Sequence, residues 1–186
     1  MKERAVFLDR DGTLIEERGH ICSFSEVNVF SFSVEALKIM NTRDFKVILV
    51  TNQSSVARGI CTELQVQDIH TKLREYFEKR GAMIDAVYYC PFHEEGIVPK
   101  YRKKDECRKP SPGMLYQAAQ DFDIDLTKSY MIGDSLRDIS AGQQAGCKTI
   151  LVLTGHGRQA KGKITTDAIY PNYIAANLLE AVMLIK

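Results

Sequence analysis

Short, continuous apolar runs alternate along this chain with segments whose apolar residues recur at helical spacing, and that alternation restricts the fold more than any other feature. Ala5–Leu8, Lys46–Val50, Asp85–Cys90, Ser129–Ile132 and Thr149–Leu153 read as strands covered on both faces, because such strands lose the polar alternation of a half-exposed sheet. Between them lie three amphipathic patterns. Val34, Leu37 and Met40 follow Ser33 as a candidate cap; Val66, Ile69, Leu73 and Phe77 follow a Thr62–Gln65 capping box; Leu115, Ala118, Ala119 and Phe122 follow Ser111-Pro112, a cap and first-turn proline. Ala168–Tyr170 is a weaker sixth strand and Ile174–Ile185 a closing helix with Leu178, Val182 and Ile185 inward. The expectation is a three-layer α/β fold with a mainly parallel sheet, in a single domain over residues 1–186.

Composition narrows the function classes. The formal net charge is +1 and no basic block stands out beyond Lys100–Lys104, which argues against a nucleic-acid surface. No apolar leader precedes the first strand and no run approaches membrane-spanning length, so a cytoplasmic chain without a membrane partner is expected. Its five cysteines are scattered and odd in number, which favours reduced thiols over a disulfide framework. No helix pattern shows a second apolar face, so a monomer is expected.

Ligands of an open parallel sheet gather at the carboxyl ends of its strands. Here those ends carry Asp9 and Asp11 before Gly12-Thr13, then Thr51-Asn52-Gln53-Ser54, and later Gly133-Asp134 with Asp138 one turn into the next helix. Asp-x-Asp-Gly alone is an ordinary turn, but acids recurring at several strand ends are not. Crowded carboxylates repel one another, and a hard divalent cation, Mg2+, relieves that. A Thr hydroxyl, backbone N–H groups and Lys109 suit a phosphate, and without a Gly-rich Walker loop a phosphate monoester is the expected substrate. Residues 14–30 form a candidate flap or small hairpin, and 91–109 a long loop of mixed charge that suits substrate selection.

The set Asp9-x-Asp11-Gly-Thr, Thr51-Asn52, Lys109 and Gly133-Asp134-x-x-x-Asp138 resembles the haloacid dehalogenase superfamily of phosphohydrolases. More narrowly, Leu8–Thr13, Thr51–Ser54, Tyr89-Cys90-Pro91, Cys107–Pro110 and Pro112–Leu115 resemble the D-glycero-D-manno-heptose 1,7-bisphosphate 7-phosphatases, with histidinol-phosphate phosphatases as near relatives. The resemblance implies a Rossmann-like sheet without a large cap domain. It implies Asp9 as nucleophile, Asp11 as acid and then base, and Mg2+ held by Asp9, Asp134 and the Asp11 carbonyl. Thr51, the Asn52 N–H and Lys109 would hold phosphoryl oxygens, with Gln53 and Ser54 beside them. Asp138 would orient Lys109, unless it is only a first-turn acid favoured by the helix dipole. Glu17, Arg18, Gly19 and His20 of the flap, with Arg108, would contact the sugar or a second phosphate, and Arg158 is a weaker candidate on its loop position.

Relatives of this kind usually carry a structural zinc on a Cys-x-His and a Cys-x-Cys pair. This chain has Cys90-Pro91-Phe92-His93 and Asp105-Glu106-Cys107 instead. A shifted zinc site of Cys90, His93, Asp105 and Cys107 is chemically open, but we prefer a loop held by packing and hydrogen bonds. The alternatives to a heptose bisphosphatase are a histidinol-phosphate phosphatase, which spacing does not separate from it, and a receiver-like phospho-acceptor. Asp11 argues against the receiver, since a base two residues from the acceptor would hydrolyse the stored phosphate.

Overall fold

A computed structural model describes residues 2–164 and 169–186. Six strands form one sheet in the order β3-β2-β1-β4-β5-β6, and every adjacent pair is parallel. They are β1 (Arg4–Leu8), β2 (Phe45–Asn52), β3 (Ala86–Cys90), β4 (Tyr130–Gly133), β5 (Lys148–Val152) and β6 (Tyr173–Ala175). Helices α1 (Ser33–Thr42), α2 (Glu63–Glu78), α3 (Gly113–Asp121), α4 (Leu136–Ala145), α5 (Gly157–Gly162) and α6 (Leu178–Met183) make the crossovers and the close.

The strands divide their side chains between two cores, as a period of two requires. Val6, Leu8, Val47, Leu49 and Ile132 face the layer that includes Leu37, Ile69, Leu73, Phe77 and Val182. Ala5, Phe7, Ile48, Val50 and Met131 face Met114, Leu115, Ala118 and Ala141 on the other side. Helices therefore cover both faces, which makes the expected three layers.

β1 lies between β2 and β4, with Leu8 opposite both Leu49 and Ile132. Connections diverge to the two sides of β1 at this point, so a crevice opens beyond the strand ends. The register puts Asp9, Thr51 and Asp134 on its floor.

Several local expectations are corrected. Ser33 is the first residue of α1, not its cap; its buried hydroxyl donates to the Leu14 carbonyl at 2.7 Å, while Phe32 occupies the N-cap. Pro112 itself stands at the N-cap of α3, without a side-chain cap. Of the predicted strand Ala168–Tyr170, Ala168 lies outside the described residues and Ile169-Tyr170 are not in a strand. The sixth strand is instead Tyr173–Ala175, paired with Ile150–Val152, because Asn177 caps α6 through Glu180 N (3.0 Å) and frees the preceding residues for the sheet. Segment 14–30 forms no hairpin: Ile15 makes a single antiparallel bridge with Val29, and a capped 3-10 turn spans Phe24–Glu26. Among the described residues no helix is long and apolar enough to cross a membrane.

Candidate active site

Asp9 leaves β1 with its N–H still donating to Ile132 O (3.0 Å), which ties it to the end of β4 beside Asp134. Gly12 (φ +76°) and Gly155 (φ +50°) close over the Asp134 carboxylate so tightly that a Cβ at either position would collide with it. Thr154 Oγ1 donates to Gly12 O at 2.6 Å, joining the loop after β5 to the loop after β1. The His156 N–H donates to Asp134 Oδ2 at 2.7 Å. Glycine in the Asp-x-Asp-Gly run is thus required by close approach as well as by the turn.

Lys109 reaches the same floor from the far end of the long loop. Its Nζ donates to Asp9 Oδ1 (2.9 Å), Val50 O (2.7 Å) and Asp138 Oδ1 (2.6 Å). Asp138 also accepts from the Ser135 N–H and hydroxyl, both at 2.9 Å. Both readings of Asp138 therefore hold: it steadies the start of α4 and also fixes Lys109.

Burial pushes the Asp9 carboxyl up to about 7, with Lys109 opposing the rise and Asp138 and Asp11 adding to it. Asp134 is pushed up to about 8 by burial and by the Asp9 and Asp138 charges, against the His156 N–H. Against its own burial, Lys109 is held above the usual lysine range by Asp138 and Asp9. One oxygen from each of Asp9, Asp134 and Asp138 falls within 4.8 Å of the others. One ammonium, Lys109, is shared between Asp9 and Asp138, so the three carboxylates together outnumber the cation beside them. Hard oxygen donors in that state fit a divalent cation of the Mg2+ type.

Asp11 is gripped from outside the floor. Arg10, only 1% exposed, donates from Nε and Nη2 to its carboxylate at 3.0–3.2 Å. Gln53 Nε2 donates to Asp11 Oδ2 and to Thr51 Oγ1, both at 3.0 Å. Gln53, expected to meet substrate, thus also ties together two residues of the floor. Arg10, inside the Leu8–Thr13 run, has no role of its own among the sequence expectations, and neither has His70 of α2, whose Nε2 lies 3.0 Å from Arg10 Nη1.

A cavity of about 210 Å³ stands over these groups. Glu17, Gly19, His20, Asn52, Ser54 and Arg108 line it, and so do Arg137 and His156, which are not among the residues expected there from sequence. Arg137 stands in the first turn of α4, just beyond the strand-end Asp134, and that position is its sequence signal. Arg18 is corrected: it turns away, pairing with Glu16 at 3.0 Å on the exposed side of the flap. Arg158 is exposed and does not line the cavity. Arg108 and Arg137 make no ion pair among the described residues, and burial together with the Arg137 and Arg58 charges presses the Arg108 guanidinium below its usual range.

The proposed zinc ligands do not converge. Cys90 and Cys107 are bonded to each other as a disulfide. His93 Nδ1 accepts from Glu95 N (3.1 Å) and its Nε2 faces Arg58 Nη2 (3.3 Å), while Asp105 pairs with Lys103 at 2.6 Å and accepts from Cys107 N. With no thiolate left and both other groups engaged elsewhere, the shifted zinc site is not supported. Cys22 of the flap is likewise bonded to Cys61, 39 residues away, and Cys147 alone is free and buried. The expectation of reduced thiols is therefore corrected. Spacing along the chain does not reveal that the crossover after β2 returns beside the flap, or that the long loop returns to the end of β3, giving Cα separations of 5.4 and 5.5 Å.

Known proteins resemble this chain over most of its length. A HAD-hydrolase-like family model matches residues 106–181. The D-glycero-D-manno-heptose-1,7-bisphosphate 7-phosphatase of Chlorobaculum tepidum is 38% identical over 185 residues, covering 96% of this chain and 92% of its own. The D-glycero-beta-D-manno-heptose-1,7-bisphosphate 7-phosphatase of Haemophilus ducreyi is 40% identical over 172 residues, 91% of this chain and 93% of its own. Among solved structures, the D,D-heptose 1,7-bisphosphate phosphatase of B. bronchiseptica, complexed with magnesium and phosphate, superposes with a TM-score of 0.86 at 31% identity, covering 97% of each chain.

Proposed function

The chain belongs to the haloacid dehalogenase-like family of the heptose-1,7-bisphosphate 7-phosphatases and is itself a phosphatase, and from that premise we propose that it removes the 7-phosphate of D-glycero-D-manno-heptose 1,7-bisphosphate. The observation that carries the substrate is the pair of guanidiniums, Arg108 and Arg137, which line the cavity and have no carboxylate partner among the described residues. A phosphate seated on the Asp9–Lys109 floor leaves the rest of a bisphosphate facing those cations, and arginine suits bidentate phosphate binding. Histidinol phosphate would instead present an ammonium group to them. That favours the bisphosphate over its nearest rival.

In this reading Asp9 attacks phosphorus, the bond to the sugar oxygen breaks, and Asp11 gives that oxygen a proton. Asp11 then takes a proton from the water that cleaves the aspartyl-phosphate and regenerates Asp9. Thr51, the Asn52 N–H and Lys109 hold the phosphoryl oxygens as charge develops on them. Asp9 and Asp134, with the Asp11 carbonyl, would hold Mg2+, which supplies positive charge between an anionic nucleophile and an anionic phosphate.

Phosphate release in Mg2+ buffer from both anomers of heptose 1,7-bisphosphate, heptose 7-phosphate and histidinol phosphate tests the assignment. A kcat/KM for one bisphosphate anomer at least ~10²-fold above the two monophosphates is expected, since about 3 kcal/mol separates bound from unbound second phosphate. Faster turnover of histidinol phosphate would overturn the substrate and leave the phosphatase chemistry standing.

A further inference from the structure

Arg10 is almost wholly buried, and each of its three guanidinium nitrogens has a partner. Nε and Nη2 fork onto Asp11, Nη2 also donates to Gln53 Oε1 at 3.1 Å, and Nη1 meets His70 Nε2 at 3.0 Å. A cation offered to an imidazole nitrogen needs a lone pair there, so His70 is the neutral tautomer with its proton on Nδ1. Burial and the Arg10 charge lower His70 to about 3, in keeping with that tautomer. The Tyr89 ring, its centroid 5.4 Å away, packs against the imidazole.

A structural arginine would spend its donors on the protein interior. Here the far end of the network is the substrate cavity: Asp11 lines it directly, and Gln53 carries the same network to Thr51 Oγ1. Nothing else among the described residues accepts from Arg10 Nη1, so loss of the His70 acceptor leaves a buried donor unpaired and lets the guanidinium swing. A two-point fork fixes the plane of the carboxylate it grips, and a swung guanidinium no longer does so.

We infer that Arg10 and His70 are positioning residues, which set the direction of the Asp11 carboxyl group for its two proton transfers; this rests on the acid/base reading of Asp11 above. His70 reaches the reaction only through Arg10, from a helix 60 residues away in sequence.

The readout is dependence on the leaving group. A sugar alkoxide needs its proton in the transition state, whereas the phenoxide of p-nitrophenyl phosphate departs without one. His70→Phe, which removes the acceptor and keeps a ring beside Tyr89, and Arg10→Lys, which keeps charge and loses the fork, are each assayed for kcat/KM on heptose bisphosphate and p-nitrophenyl phosphate in one preparation. The ratio of the two is independent of the folded fraction. We expect the sugar phosphate to lose ~10-fold or more and the aryl phosphate less than ~3-fold, within the range of general acid catalysis. His70→Gln, whose side-chain oxygen also accepts, should restore the ratio.

Asp11→Asn is run in parallel. If it slows both substrates equally, the acid reading itself fails. If it is selective while His70→Phe and Arg10→Lys slow both substrates equally or neither, the positioning inference alone is overturned.

Discussion

The Asn52 side chain meets the backbone of Lys109 at two points: its Nδ2 donates to the Lys109 carbonyl at 3.0 Å and its Oδ1 accepts the Lys109 N–H at 3.1 Å. The end of β2 thereby holds the end of the 91–109 loop, and Lys109 can cross to Asp9. Asn52→Ala should lower kcat by ~10–100-fold and stability by about 1–3 kcal/mol through the two partly buried backbone groups left unpaired. Steady-state kinetics beside urea unfolding would decide it, and unchanged kcat would show that Lys109 is placed by something else.

Asp9→Asn should abolish turnover, by about 10⁴-fold or more, as loss of a covalent nucleophile does. Lys109 keeps Asp138 as its ion partner, so the fold should survive. Product formation at near wild-type rate, with circular dichroism unchanged, would remove Asp9 from the nucleophile's role.

Gly155→Ala should strike the cation site and not phosphate binding. Its backbone lies at φ +50° and the new methyl would run into the Asp134 carboxylate. The Mg2+ concentration giving half-maximal activity should rise at least ~10-fold, in line with displaced ligands at a metal site. A Mg2+ titration identical to that of the parent protein would contradict this placing of Asp134.

Acid should weaken the fold through His70. Its folded pKa of about 3 lies below the ordinary value of 6.5, so the unfolded chain takes up the proton first as pH falls. The stabilising share is complete above pH 6.5 and is lost progressively between pH 6.5 and 3. From pH 7 to pH 5 the loss is about 2 kcal/mol. Urea midpoints at the two pH values should converge in His70→Gln relative to the parent, and equal sensitivity in both proteins would refute the assignment.

Thiol counting tests the two cysteine pairs. Protein unfolded without reductant should show one reactive thiol, Cys147, and five after reduction. Five thiols without reduction would mean that both pairs are open in solution. Closing the Cys22–Cys61 span of 39 residues should contribute about 3–4 kcal/mol, read as a lower urea midpoint on reduction.

Much of this molecule was decided by the order of residue types along the chain. The buried strands, the Thr62–Gln65 capping box and the stripe Val66, Ile69, Leu73 and Phe77 appear where periodicity puts them, because burial of one face is a local, repeating demand. The same holds for Asp9, Asp11, Thr51 and Asp134, since a parallel sheet brings strand ends to one edge whatever its remaining sequence, whereas Lys109 comes to that edge from the end of the 91–109 loop.

Partner choice across the chain was another matter. His70 lies on the apolar side of α2 and reads as core, and only the packing of α2 against the sheet brings its nitrogen to Arg10. Arg18 and Arg137 are equally polar in sequence, yet the turn of the flap sends one to Glu16 and the first turn of α4 sends the other into the cavity. His93 and Asp105 likewise found Arg58 and Lys103 in place of a shared metal. Residue type and spacing state what a side chain is able to bind. Register and crossover geometry alone set which groups lie close enough to meet it, and hydrogen bonds act only near 3 Å.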